Sequence, residues 1–251
     1  MNMPRSARQE SSTGIYHIML RGINQQIIFN DEEDYQKFLE ILKNCKIISE
    51  FELYAYCLMN NHIHILIKVN KESLSQIVKR IGVRYVYWYN WKYYRRGHLF
   101  QDRYKSEAVE DDRYFLSVLR YIHQNPLKAG IVKNISEYEY SSFKEYLYTQ
   151  QEYIVDKEFT FEIISKDEFI LFNQADNNDK CLEYDFSDFK ITDIEAKEII
   201  RKNSNCENIE QFLSLNKDEK NRYIKIFKDK GMSIRQISRL TGVSFGVVRE
   251  I

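Results

Sequence analysis

His62-Ile63-His64 is the pair whose residue type and spacing could do chemistry. The run HIHILIKV (62–69) reads as a strand, and on a strand residues two apart point the same way. Ile63, Ile65, Ile67 and Val69 then share one face, and His62 and His64 the other. Two imidazoles side by side on an open sheet face can bind one divalent metal ion. The same spacing also suits two surface histidines without a role, because a two-histidine motif is short. A second group falls on a helix expected from Asp111-Asp112 to the Asn125-Pro126 stop. At about 100° per residue, Phe115, Leu119 and Ile122 mark its buried stripe, with Tyr114, Tyr121 and Asn125 on one shoulder. Tyr121 and Asn125 are four apart and therefore stacked neighbours. A phenol and an amide could face the histidines together, although on spacing alone the favoured reading leaves the Tyr121 hydroxyl in water.

These residues need elements to hold them. IYHIMLR (15–21) reads as a strand ended by Gly22, and the acidic start at Asp31 opens a helix running to about Ser49. FELYAYCLM (51–59) pairs with 62–69 through Asn60-Asn61, since Asn tolerates the left-handed angles of a tight hairpin. Residues 73–95 form a long basic helix with Leu74, Val78, Ile81, Tyr85 and Trp88 inward, and RYKSEAVE (103–110) is a short strand. The order β-α-β-β-α-β-α predicts an α+β fold with a ferredoxin-like split βαβ sheet. Its helices lie on one face and leave the other free for chemistry. An all-α region follows, with helices at 141–147 (capped by Ser141 or Ser142), 168–183 and 193–203. In the last unit, 216–251, Ile234, Ile237 and Leu240 share a face, Gly242 turns the chain and Ser244 caps a second short helix. This is a helix-turn-helix pattern suited to duplex DNA, with Arg235 and Arg239 as candidate contacts. The expected divisions are 1–150, an acidic connector 151–203, and 204–251.

Composition narrows the class. The 251 residues are 43% apolar or aromatic, with only 8 Gly and 2 Pro, so a packed core is expected and low-complexity disorder is excluded. Mean hydropathy is −0.54 and no apolar run suits a bilayer, so no membrane partner is expected. The start MNMPRSARQESSTG lacks the apolar stretch of a signal peptide, and its first 13 residues read as a mobile tail offering Arg5 and Arg8 to phosphate. The four cysteines form no CxxC pair, which points to a reducing cytoplasm. Lys+Arg and Asp+Glu both total 37, but the balance is not local. Residues 68–105 hold ten bases and two acids, residues 152–198 are acidic, and 199–251 are basic again. The first basic stretch includes Arg80, Arg84, Arg95, Arg96, Arg103 and Lys105, interleaved with Tyr87, Trp91, Tyr93 and Tyr94. Cations that bind phosphate beside rings that can stack on unpaired bases suit a nucleic-acid partner.

The runs GIYHIMLRGIN (14–24), MNNHIHILI (59–67), GHLFQDRYKSEAVE (97–110) and LRYIHQNPLKAGIV (119–132) resemble the single-tyrosine HUH transposases, most of all the REP-associated branch. The resemblance covers roughly residues 4–150. It implies an HUH endonuclease core, with His62 and His64 as metal ligands, Asn125 as third ligand and Tyr121 as nucleophile. It further implies Mg²⁺ or Mn²⁺ as cofactor. The substrate would be single-stranded or hairpin-bearing DNA, and the product a 5′-phosphotyrosine intermediate. The enzyme would be either a monomer or a homodimer exchanging the tyrosine helix. Arg21, Arg103 and Lys105 become candidate phosphate contacts. Asn60 stands where the family usually has Pro, which alters hairpin stiffness. Gln25 stands where it often has Arg, which removes one phosphate contact. Neutral histidine is needed for coordination, so activity is expected to fall below about pH 6.5. Two other readings remain on sequence grounds. One is a non-catalytic DNA-binding regulator on the same scaffold. The other is a small-phosphoester hydrolase, which has no use for so long a basic-aromatic helix.

Overall fold

The computed structural model describes residues 10–101, 103–148, 154–177, 179, 181–182 and 193–251. The chain divides into two units, 1–183 and 184–251. In the first, strand β1 (Ile15–Arg21) leads through a short 3-10 turn to helix α1 (Glu32–Ser49). The hairpin β2 (Glu52–Met59) and β3 (His62–Lys68), helix α2 (Leu74–Lys92), strand β4 (Lys105–Val109) and helix α3 (Asp112–Lys128) follow. The sheet is antiparallel throughout, in the order β2-β3-β1-β4, so the first strand lies inside as a split βαβ succession requires.

Local chemistry starts the helices where expected. Asp31 and Asp34 form a reciprocal capping box at α1, and Ser73 and Gln76 do the same at α2. The inward face of α2 is Leu74, Ile77, Val78, Ile81, Tyr85 and Tyr89, and Trp88 is only half-buried. Tyr16, Ile18 and Leu20 of β1 and Ile63, Ile65 and Ile67 of β3 are all buried and share one sheet face by register. Leu20 and Val78 meet there, which puts α2 over this face.

The opposite face is not left free. α3 lies across it, burying Phe115, Val118, Leu119 and Ile122 against β2, with the Phe115 ring 5.1 Å from that of Tyr54. An amphipathic helix cannot leave such a stripe in water, so it covers the face that carries the histidines. Two local expectations also change. Asn60 and Asn61 make the two-residue hairpin without left-handed angles; Asn24 and Gln25 take those instead. The hairpin carbonyls accept bonds from Ile28, Phe29 and Gly22, which fixes the turn from outside. α3 also runs through Pro126 to Lys128, because Pro126 falls in its last turn, where few later bonds are lost.

Residues 10–13 are pinned rather than mobile. Ser12 bonds the Glu110 carboxylate and Thr13 bonds the Val109 carbonyl, while Arg5 and Arg8 fall outside the described residues.

The connector expected at 151–203 is divided between the units. Helices α4 (Phe143–Leu147), α5 (Glu158–Ile163) and α6 (Lys166–Gln174) belong to the first, where the Phe169 ring stacks 4.6 Å from Tyr146. α6 ends well short of 183, and Ser142 precedes α4 without a capping bond because its hydroxyl is spent on Tyr56. The second unit holds α7 (Asp193–Ser204), α8 (Ile209–Ser214), α9 (Lys217–Asp229), α10 (Ile234–Thr241) and α11 (Phe245–Glu250). Ala196, Ile200, Phe212, Ile224, Phe227, Ile237 and Val248 form its core, so α7 is structural there and no linker. Gly242 turns between α10 and α11 at φ 74°, and Ser244 makes no side-chain cap. Among the described residues, no helix is long and apolar enough to cross a membrane.

Candidate active site

Antiparallel register assembles the site. His64 pairs with Met19 on one side and Cys57 on the other, and His62 pairs with Arg21 and Met59. His17, two residues before Met19, therefore projects to the same face. Its Nε2 lies 3.0 Å from Nδ1 of His64, and both rings are fully buried. His62 stands at the start of β3, half-buried, with Nδ1 2.7 Å from Oδ1 of Asn61. The His62 and His64 ring centroids are 5.1 Å apart.

α3 brings the phenol from above. The Tyr121 ring is 5.6 Å from His64 and 5.8 Å from His17, meeting both edge-on, and Tyr121 is buried. Lys128, two turns later, holds its ammonium 5.1 Å from the same ring. Asn125 donates Nδ2 to the Tyr121 carbonyl at 2.9 Å, and its side chain lies near enough to the His62 ring to favour the imidazolium. Tyr114 is elsewhere: its phenol bonds the Glu107 carboxylate, and burial and that charge push its pKa up.

The imidazoles are held neutral. Burial, then the Arg21 charge, pushes His62 down to about 4 against the pull of Asn125, burial pushes His17 down to about 3, and His64 lies well below its ordinary value. Desolvation thus disfavours the imidazolium at all three rings. Two neutral imidazoles and an amide oxygen fit a divalent cation as donors, and the bonds to Asn61 and His17 orient both rings. Among the described residues, no cluster of three or more His, Cys, Asp or Glu could hold a metal, so this set depends on the amide.

The remaining candidates separate by surroundings. Arg21 is buried beside the site, and Lys105 lies on the histidine face opposite Met19. Arg80 is held by Ser49 and Glu72, with Nη2 2.8 Å from the Glu72 carboxylate. Arg84 is exposed, Arg95 donates to Gln26 at 3.0 Å, and Arg96 and Arg103 are exposed. In the second unit Arg235 is exposed, and Arg239 makes a two-pronged bond to Asp193. His123 is structural, with its nitrogens 2.9 Å from Asn173 and 2.8 Å from Ser142. Arg120 grips Asp179 with two bonds. The orienting roles of His17 and Asn61 escape a reading of spacing. His17 reads as a lone strand histidine until pairing with 62–68 sets it beside His64.

A helix-borne tyrosine and paired strand histidines thus meet on a split βαβ sheet. Residues 10–125 match the family model described as "Transposase IS200 like". A curated protein of Haemophilus influenzae named as a REP-associated tyrosine transposase is 27% identical over 104 residues, which are 37% of this chain and 59% of that protein. The chain thus matches less than two thirds of that relative's length. A solved structure of a REP-associated tyrosine transposase bound to a REP hairpin superposes with a TM-score of 0.52 at 18% identity. It covers 61% of this chain and 94% of the other. The resemblance read from the sequence is borne out by these matches, with residues 10–125 similar to the IS200-like transposases.

Proposed function

We propose that the chain is a metal-dependent single-strand DNA endonuclease and strand transferase. The convergence of the Tyr121, His64, His62 and Asn125 side chains at one end of the sheet carries this reading. The Tyr121 oxygen attacks the phosphorus of a phosphodiester and loses its proton. The P–O3′ bond breaks, leaving a 5′-phosphotyrosine link and a free 3′-hydroxyl. A second 3′-hydroxyl reverses the step, so one ester replaces another and joining needs no ATP. A phenol, with a pKa near 10, is both a workable nucleophile and a good leaving group. His62, His64 and Asn125 would hold Mg²⁺ or Mn²⁺, which would supply charge to polarise the scissile phosphate. His17 holds the His64 ring in place, and Arg21 and Lys105 flank the site as phosphate contacts. The buried phenol is reached when the end of α3 swings away from the sheet, within one chain or by exchange in a homodimer. The hairpin in the solved relative supports hairpin-bearing DNA as substrate, and α10 and α11 supply a helix-turn-helix for flanking duplex. Cytoplasmic work on DNA suits a chain whose described cysteines are all free.

Burial of Tyr121 favours one rival, a regulator that binds DNA on this scaffold without cutting it. Hairpin-bearing single strands incubated with Mg²⁺ or EDTA and run on a denaturing gel separate the two. A metal-dependent covalent adduct is expected, and Tyr121→Phe removes it, a loss of at least about 10³-fold of the kind seen when a reacting group is deleted. Chelator-indifferent binding with no adduct would establish the regulator.

A further inference from the structure

On the sheet face opposite the histidines, α2 and residues His98, Leu99, Phe100, Arg103 and Tyr104 line an open cavity of about 610 Å³. Its floor is apolar, with Leu20, Val86 and Phe100, and Lys79 and Arg103 line its rim. Beside it runs a row of exposed apolar side chains. Val83, Tyr87 and Trp91 recur every fourth residue along the outer side of α2, and Tyr94 follows beyond its end. They are 59%, 77%, 72% and 98% exposed, so none is needed by the core. Tyr94 has φ 51°, a left-handed angle that costs a non-glycine residue about 1 kcal/mol.

The charge around this row identifies its occupant. Of the ten bases in residues 68–105, Lys68, Lys71, Arg80 and Lys92 pair with carboxylates in the fold. Lys79, Arg84, Arg96 and Arg103 are exposed. A second copy docked through this face would set one basic strip against another, which like-charge repulsion opposes. A polyanion with flat rings suits both features.

We propose that this face is a single-strand DNA subsite. One unpaired base enters the cavity, its phosphates meet Lys79 and Arg103, and following bases stack on Tyr87, Trp91 and Tyr94. The subsite connects to the candidate active site around one edge of the sheet. Phe100 bridges Gly22, Gln101 donates to the Arg21 carbonyl at 2.7 Å, and Lys105 lies on the histidine face two residues after Arg103. The proposal rests on the reading that the chain handles single-stranded DNA.

The test uses the full chain and a labelled 15-nucleotide oligo-dT, read by fluorescence anisotropy and tryptophan quenching. The triple variant Tyr87→Ala, Trp91→Ala, Tyr94→Ala should bind about 30-fold more weakly, and Trp91→Phe should remove most of the quenching. Lys79→Ala with Arg103→Ala should flatten the salt dependence by about 1.4 in log–log slope. Circular dichroism checks that these exposed changes leave the fold intact. Affinity within twofold of wild type would overturn the subsite, as would a wild-type dimer in sedimentation that the triple variant dissociates. Adduct formation by the wild type is scored separately. Adduct present with variant affinities unchanged sinks this inference alone, whereas neither binding nor adduct in the wild type sinks both readings.

Discussion

The two faces of the sheet are built on different principles. Under α2 the buried side chains are aliphatic and aromatic, with Phe29 and Phe38 packed on Tyr85, and a close-packed apolar set of the right volume would serve at most of these positions. Under α3 the buried set includes His17, His64 and Tyr121, each placed by a specific neighbour. The first face supplies stability and tolerates exchange. The second spends stability to hold polar groups in fixed orientation, because a buried imidazole must stay neutral.

Acid should break this comparison most strongly. His123 has a folded pKa of about 4 and His17 of about 3, both below the free value of 6.5. The unfolded chain therefore binds more protons below 6.5. The stability is complete above that pH and is lost as pH falls toward the folded values. His123 alone accounts for about 3 kcal/mol. Urea midpoints at pH 7, 5.5 and 4.5 should fall together by more than any single substitution costs, and a flat profile would show that the histidines are not buried neutral. Ile65→Ala on the apolar face should come next, costing about 3 kcal/mol at every pH. Parallel urea titrations across the same pH series check it; a pH-dependent cost would dissolve the distinction between the faces. The smallest effect on folding, yet the sharpest at the site, belongs to His17→Phe. If His64 ligates the metal as proposed, this should weaken Mn²⁺ binding about 10-fold by calorimetry, with partial rescue by His17→Gln, because the partner that orients its ring is lost. Unchanged Mn²⁺ affinity would reduce His17 to packing.

Much of this was legible in the residues. The alternation of 62–69 separates aliphatic from histidine face, and the spacing of 115, 119 and 122 sets Tyr121 and Asn125 on one shoulder of α3. What escaped is long-range. Which face α3 covers depends on how the chain crosses the sheet, which no helical period encodes. The pairing of His17 with His64 depends on register across 47 residues. The aromatic residues of 158–174 look like part of an acidic linker until Phe169 meets Tyr146. The hairpin at Asn60-Asn61 fits its length but not its expected angles, because bonds from the 22–29 segment replace intrinsic preference.

The segment after α6 has a consequence for the tyrosine helix. Gln124 donates to the carbonyls of Asn173 and Ala175, Asn177 donates to Gln124, and Arg120 holds Asp179. These bonds flank Tyr121 on both sides, yet their partners lie wholly outside residues 10–125. A protein cut back to that shared segment would keep every candidate catalytic side chain and lose these bonds beside Tyr121. The seating of the tyrosine helix is thus written partly in a stretch of chain that the family likeness does not reach.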